Sequence, residues 1–363
     1  MQAVITGMGM VSSVGRHASA ACAAIRAQLS RPRRCAYHQS LEEDAQEPSA
    51  VMGHPVQGYA EGFNGVGLWM RLSLGSVADL LGGAGLPDPG DQGFWRRTRL
   101  LAVMPSPVGP RFQVDEGDVS LLEESFLLPL LGRLRLPLAE GAAAIAGTDQ
   151  AGTAAAVREA ERLFSQGLAD RVVLLAVDSY LDPLTLQWLD ADQRLKTADR
   201  PTGLMPGEAA VSLLLESSGS ARRRGASVLA RVAAATVARE PHPLTGGETN
   251  TGIGLSTCLV EALDAAGLSG RYSGDIVSDL NGESWRAQEW GTVIVRLVDR
   301  LASPRLHMPC VSTGDTGAAS GALGMCLATH LLSRGHSRTG SVLVTASSAS
   351  GETGCVALGS AAS

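Results

Sequence analysis

Long apolar runs are missing from this sequence: none reaches the ~18–20 residues needed to cross a bilayer, so no membrane span is expected. A cationic excess is missing too. Lys and Arg number 30 against 36 Asp and Glu, a net charge of −6, and the densest basic runs, at 31–34 and 222–224, are short. A nucleic-acid surface needs clustered Lys and Arg, so that class of partner is not expected. The six cysteines (Cys22, Cys35, Cys258, Cys310, Cys326 and Cys355) show no CxxC and no Cys/His spacing. That argues against a zinc module and for free core thiols; no metal and no cofactor is predicted. The opening MQAVITGMGM lacks a basic segment ahead of an apolar one, which predicts a cytoplasmic protein.

What is present fits an α/β protein. The chain has 363 residues, 45 % hydrophobic, with 43 Gly and 17 Pro, enough for one large core or two fused halves. Its organising stretch is 142–180: an apolar strand, a Gly/Asp turn at Gly147, Thr148, Asp149 and Gln150, a helix of about five turns, then the continuous apolar run 172–177. A strand-to-helix turn aims exposed side chains and helix amides at one point and is a natural seat for a nucleophile. This turn carries no Cys, Ser or His at its apex.

Around that stretch the pattern predicts a strand at 2–10 with a loop at 7–15, and helices at 18–29 and 67–81. Residues 35–60 read as an irregular loop or lid holding a surface histidine, His54. A strand at 97–104 and a helix at 121–134 follow, then a Pro-initiated helix inside 179–190 and a strand at 209–215. A polar connection at 216–226 separates an N-terminal half, 1–220, from a C-terminal half, 221–363. The second half repeats the rhythm, with strands at 228–237, 275–280 and 309–312, helices at 251–266, 286–301 and 318–332, and a closing hairpin at 341–348 and 354–358. The Gly7–Gly15 segment is a poor dinucleotide fingerprint, since its third glycine is misplaced and no acidic residue closes a second strand.

TGMGMVSSVG at 6–15, DSYLD at 178–182, RLK at 194–196 and PGEAA at 206–210 resemble the β-ketoacyl-[acyl carrier protein] synthases of the thiolase superfamily, in order and over nearly the whole chain. The resemblance implies a duplicated five-layered α/β/α/β/α fold, a homodimer or a heterodimer with a ketosynthase-like protein, and a cysteine nucleophile flanked by two histidines. The cysteine position falls on Gln150, or on Asp149 if a gap is placed differently. The first histidine position, in VSDLNGE at 277–283, falls on Asn281; the second, in GDTGAA at 314–319, falls on Asp315. The family's closing glycine-rich gate reads ASGETG at 349–354. Neither Gln nor Asp supplies a thiolate, Asn does not shuttle a proton, and a carboxylate at 315 repels an enolate. No catalytic residue is therefore expected.

Two accessory roles follow from resemblance. Glutamine at the cysteine position is similar to the chain-length-factor subunits, which complete a heterodimer with an active synthase, and to decarboxylating domains, which keep their histidines. His54-Pro55, the 280–291 segment with Trp285, Arg286, Glu289 and Trp290, and 314–320 look similar to ketosynthase-like proteins encoded beside type VI secretion effectors and adaptors. That implies an accessory protein binding an effector, an adaptor or a lipid; an acyl carrier protein is a further possible partner, and residual decarboxylase or acyltransferase activity an alternative. Candidates to line the old pocket are Glu283, Arg286, Glu289, Thr313, Ser350 and Thr353. The competing reading is a hydrogen-bonded plug, with Arg286 paired to Glu283 or Glu289.

Overall fold

The computed structural model describes residues 2–41, 47–88, 90–114 and 120–361. Ten strands form one sheet: β1 (Ala3–Ser12), β4 (Thr98–Met104), β5 (Ala143–Thr148), β6 (Arg171–Ser179), β7 (Glu208–Ser217), β8 (Ala230–Arg239), β9 (Asp275–Ser278), β10 (Arg305–His307), β11 (Ser341–Ser347) and β12 (Glu352–Gly359). A separate hairpin holds β2 (Arg33–Ser40) and β3 (Ser49–Gly53).

The sheet order is β10-β9-β11-β12-β8-β1-β7-β6-β4-β5, which is one pattern used twice. In each half the third strand lies at the edge, beside the second, the fourth, the fifth and the first. In each, the second strand is parallel to its neighbours and the fifth is antiparallel to both of its own. The halves meet where β1 pairs with β8 through Val4 and Ile5.

Strand periodicity sorts side chains into layers. Leu101 and Val103 of β4 face a central cluster; Leu100, Ala102 and Met104 face an outer one around the Gly65–Gly83 helix. Val342 and Val344 of β11 face the same central cluster, whereas Leu343 faces another outer cluster under the Ile253–Ala265 helix. The Gly152–Ser165 and Ser320–Ser333 helices meet in the central layer. A Cβ on Gly321 would stand 2.8 Å from the Thr153 side chain and 3.0 Å from the Gln150 carbonyl, so only glycine lets them approach there. Every residue of β7 is buried and β6 nearly so, which is why both read as continuous apolar runs.

Several expectations need correction. Residues 7–12 are strand: β1 runs to Ser12, and a Cβ on Gly9 would lie 2.0 Å from the Ser76 carbonyl, so this glycine admits a helix against the strand. The 35–60 region is largely the β2–β3 hairpin and its exit, with 42–46 outside the described residues. His54 is fully buried, its N–H donating to the Pro206 carbonyl at 2.8 Å. No strand forms at 309–312: the edge strand is β10, and Cys310–Thr313 is a helical turn closed onto the Pro309 carbonyl. The 216–226 connection is the end of β7 plus a short helix, Ser218–Arg223, capped by the Ser217 hydroxyl. The Gly152–Ser165 helix has about four turns rather than five. No described helix is long and apolar enough to cross a membrane.

Candidate functional site

The turn after β5 is held by its own geometry. Asp149 adopts φ +55°, its N–H donates to the Met104 carbonyl, and its carboxylate accepts the Ser106 N–H at 3.0 Å. Gly147 and Gly152 pack so closely that a Cβ on Gly147 would lie 2.3 Å from the Gly152 carbonyl. Burial pushes the Asp149 carboxyl up to about 6; the Ser106 N–H opposes this and nearby Asp178 adds to it. Gln150, at the apex, is buried, and its amide donates to the Tyr180 hydroxyl at 2.9 Å.

Asn281 and Asp315 come together as the alignment of motifs predicts. The Asn281 amide donates to Asp315 Oδ2 at 2.6 Å and to Glu283 Oε2 at 2.8 Å, and its carbonyl accepts the Glu283 N–H. Asp315 Oδ1 accepts the Gly317 N–H at 2.8 Å. Glu283 in turn receives Arg194 through two bonds, at 2.7 and 3.1 Å. Burial alone would raise the Glu283 pKa, but Arg194 outweighs it and keeps the group below the usual range. Side chains thus close on one another across the seam, with Arg194 from the first half and Glu283 from the second.

The plug contains the expected Arg286–Glu283 ion pair and adds a closer partner, Asp279. Arg286 is fully buried and bonds Asp279 and the Ser347 carbonyl, with Glu283 at 3.7 Å. Glu289 accepts from Asn250 at 3.0 Å instead. Thr313 is buried and bonds the Pro309 carbonyl. Ser350 sits on the β11–β12 turn and bonds Glu352, while Thr353 meets Cys258 under the second half's outer helices, so the structure does not bring these two into the cluster.

Sequence reasoning missed Arg111, Asp178, Arg194, Asp279 and Tyr180 as site members. Arg111 forms a two-bond pair with Asp178, at 2.9 and 2.7 Å, and also bonds the Ser179 carbonyl. Asp178 accepts the Ala318 N–H, fastening β6 to the approach of the Ser320–Ser333 helix. DSYLD and RLK were readable as motifs, but nothing in them gives the partner of each charge.

Across 99 % of the chain, the structure superposes on the ketosynthase of a type II polyketide system solved with its acyl-carrier protein (AntDE:AntF). The TM-score is 0.79 at 15 % identity, and 99 % of that chain is covered. The ishigamide ketosynthase/chain length factor matches at TM-score 0.73 and 19 % identity, and a β-ketoacyl synthase from Burkholderia phymatum at 0.71 and 17 %, each covered to 99 %. The chain has the thiolase-like ketosynthase fold. No family model and no curated protein matches its sequence.

Free space beside Gln150, Asn281 and Asp315 is small. The two cavities beside them, one lined by Gln150 and Gly321 and one by Asp279, Cys310 and Thr313, are each about 10 Å³, the space of one water at most. Cys310 lies 3.9 Å from the Asp279 carbonyl. Burial pushes its thiol far up, with Asp315 and Asp279 adding, so it stays a thiol. Among the described residues no hydrogen bond joins a cysteine sulfur to a histidine ring. His54 is held neutral by burial, its pKa lowered to about 4, and neither ring nitrogen has a hydrogen-bond partner.

Proposed function

We propose that this protein is a non-catalytic ketosynthase-like subunit that works by pairing with another protein, in the way of a chain length factor beside an active synthase. The observation that carries the reading is the Arg194–Glu283–Asn281–Asp315 chain of bonds. It satisfies the polar groups at two of the replaced positions internally, which favours a structural over a chemical role.

A second feature supports pairing. β5, sequence AAIAGT, is paired on one side alone among the described residues, and all six of its residues are half-buried and uncharged. Beside it lies a shallow depression of about 570 Å³, floored by Ala144, Ala146 and Ala155 and rimmed by Arg158, Glu159 and Arg162. An uncharged open edge beside an apolar floor is what strand addition by a partner requires. The solved neighbours name an acyl-carrier protein and a chain length factor as associates of ketosynthases; they name no secretion effector or adaptor.

Co-expression with ketosynthases that carry an intact Cys-His-His set tests the reading. A one-to-one complex is expected, with no condensation and no carbon dioxide release by this chain alone from malonyl-carrier protein. A homodimer that decarboxylates malonyl-carrier protein in a Gln150-dependent way would overturn it in favour of the decarboxylase alternative.

A further inference from the structure

The replaced site is filled, yet a larger cavity lies elsewhere. Between the β2–β3 hairpin, the Gly65–Gly83 helix and the Pro183–Ala191 helix is a pocket of about 320 Å³. That is within the ordinary range for small-ligand sites, roughly 300–1,000 Å³. Its inner wall is apolar and buried, made by Val56, Ala60, Leu68 and Leu186. Its rim carries two aromatic rings: Tyr37 is 88 % exposed, and Phe63, 44 % exposed, has the Arg71 guanidinium over its ring.

Charge at the rim is asymmetric. Arg33 and Arg34 both line the opening, both are exposed, and neither has an ion-pair partner among the described residues. Glu61 is the opposing charge at the rim, but its carboxylate is already engaged by the Gly58 and Tyr59 N–H groups at 2.8 and 2.9 Å. Glu208 lies at the floor, accepting the Val56 N–H at 2.7 Å and the Ser179 hydroxyl at 3.0 Å. Burial raises its pKa, which favours the uncharged acid. The Gly58 and Tyr59 N–H groups hold the Glu61 pKa down and keep it ionised, so an anion entering at the rim meets two guanidinium groups against one carboxylate.

The geometry points to a binding site for a medium-chain aliphatic carboxylate, its tail against Val56, Leu68 and Leu186 and its head at Arg33 and Arg34. The guanidinium fork matches a carboxylate in two-bond geometry, and a linear tail suits the Val56, Leu68 and Leu186 wall, beside which Cys35, Gln57, Asn64 and Glu208 also line the pocket. This site is separate from the replaced catalytic positions and does not depend on the subunit role proposed above.

Isothermal titration of the full chain with decanoate, hexanoate and 1-decanol tests the assignment. Decanoate should bind, with hexanoate weaker by roughly tenfold for each two methylenes removed. The alcohol should bind at least about tenfold more weakly than decanoate, because it lacks the charge. The double variant Arg33→Glu/Arg34→Glu, on the exposed rim, should lose decanoate about tenfold or more while keeping the wild-type melting temperature. Phe63→Ser should weaken both acids alike. No decanoate binding, equal binding of decanoate and decanol, or binding unchanged in the double variant would each overturn it.

Discussion

The two halves of the sheet share one strand order and differ at both places where a matching feature meets the outside. One outer edge is β5, six uncharged residues long. The other is β10, three residues long, carrying Arg305 and His307, both bonded back to Asp275 of β9. A short, charged edge discourages strand addition; a longer uncharged one invites it. The matching turns differ as well. After β5 the positive-φ residue is Asp149, whereas the turn leading into the Ser320–Ser333 helix uses two glycines, Gly314 at φ +68° and Gly317 at φ +53°. The two halves thus share their internal geometry and differ at their ends, one edge uncharged and the other charged.

The largest effect is expected where the halves are joined. Arg194→Met leaves Glu283 buried without its main cation, and should cost about 3–5 kcal/mol in chemical denaturation. Arg239→Met removes the exposed Arg239–Glu352 pair within one half, with side chains 69 % and 50 % exposed, and should cost under about 1 kcal/mol. Equal losses would mean that the seam is not where charge holds the halves together.

The edges give the next test. Ile145→Lys on β5 should weaken association with a partner, or with itself, by about 30-fold or more in sedimentation. His307→Lys on β10 should leave association unchanged. If both edges respond alike, the contrast between them has no role in assembly. The turns sharpen the comparison further. Gly314→Ala places a Cβ 2.8 Å from the Met205 carbonyl at a left-handed φ and should lower stability by about 1–3 kcal/mol, read as a fall in melting temperature. Asp149→Gly, at another positive φ, should be neutral or stabilising.

The layered fold was legible because its signals are local. Strand and helix periods, the Asp182 cap ahead of Pro183, and the apolar runs of β6 and β7 are all written in neighbouring residues. Errors arose where a distant element decides. Gly7 and Gly9 resemble a loop until the Gly65–Gly83 helix is laid against them, and 309–312 resembles a strand until Pro309 starts a helical turn. At the replaced site, the meeting of Asn281 with Asp315 could be read through motif order. Of the partners of Arg286, helical spacing offers Glu283, which pairs with it at 3.7 Å, but not Asp279, which lies before the turn and nearer in space. His54 carries no sequence sign of its burial, since it is the pairing of its backbone with Pro206 that draws it inside.

The last effect isolates the Asp149 turn by its pH dependence. Its carboxyl titrates near 6 in the folded chain, against about 3.9 in an unfolded one, so the folded state holds this proton more tightly. Above pH 6 the buried charge costs stability; as pH falls through 6 towards 4, the folded protein takes up the proton and the cost disappears. Asparagine keeps an oxygen to accept the Ser106 N–H and tolerates the left-handed φ, but has nothing to titrate. Asp149→Asn should therefore be more stable than wild type at pH 8, by about 1–3 kcal/mol, and equal to it near pH 4. Measuring both proteins by denaturation across that range cancels the buried acids that do not feel Asp149, leaving Asp149 and its coupling to Asp178. A stability difference that stays flat with pH would show that the Asp149 carboxylate is as well solvated as any on the surface. The turn after β5 would then differ from its counterpart in the second half only in backbone.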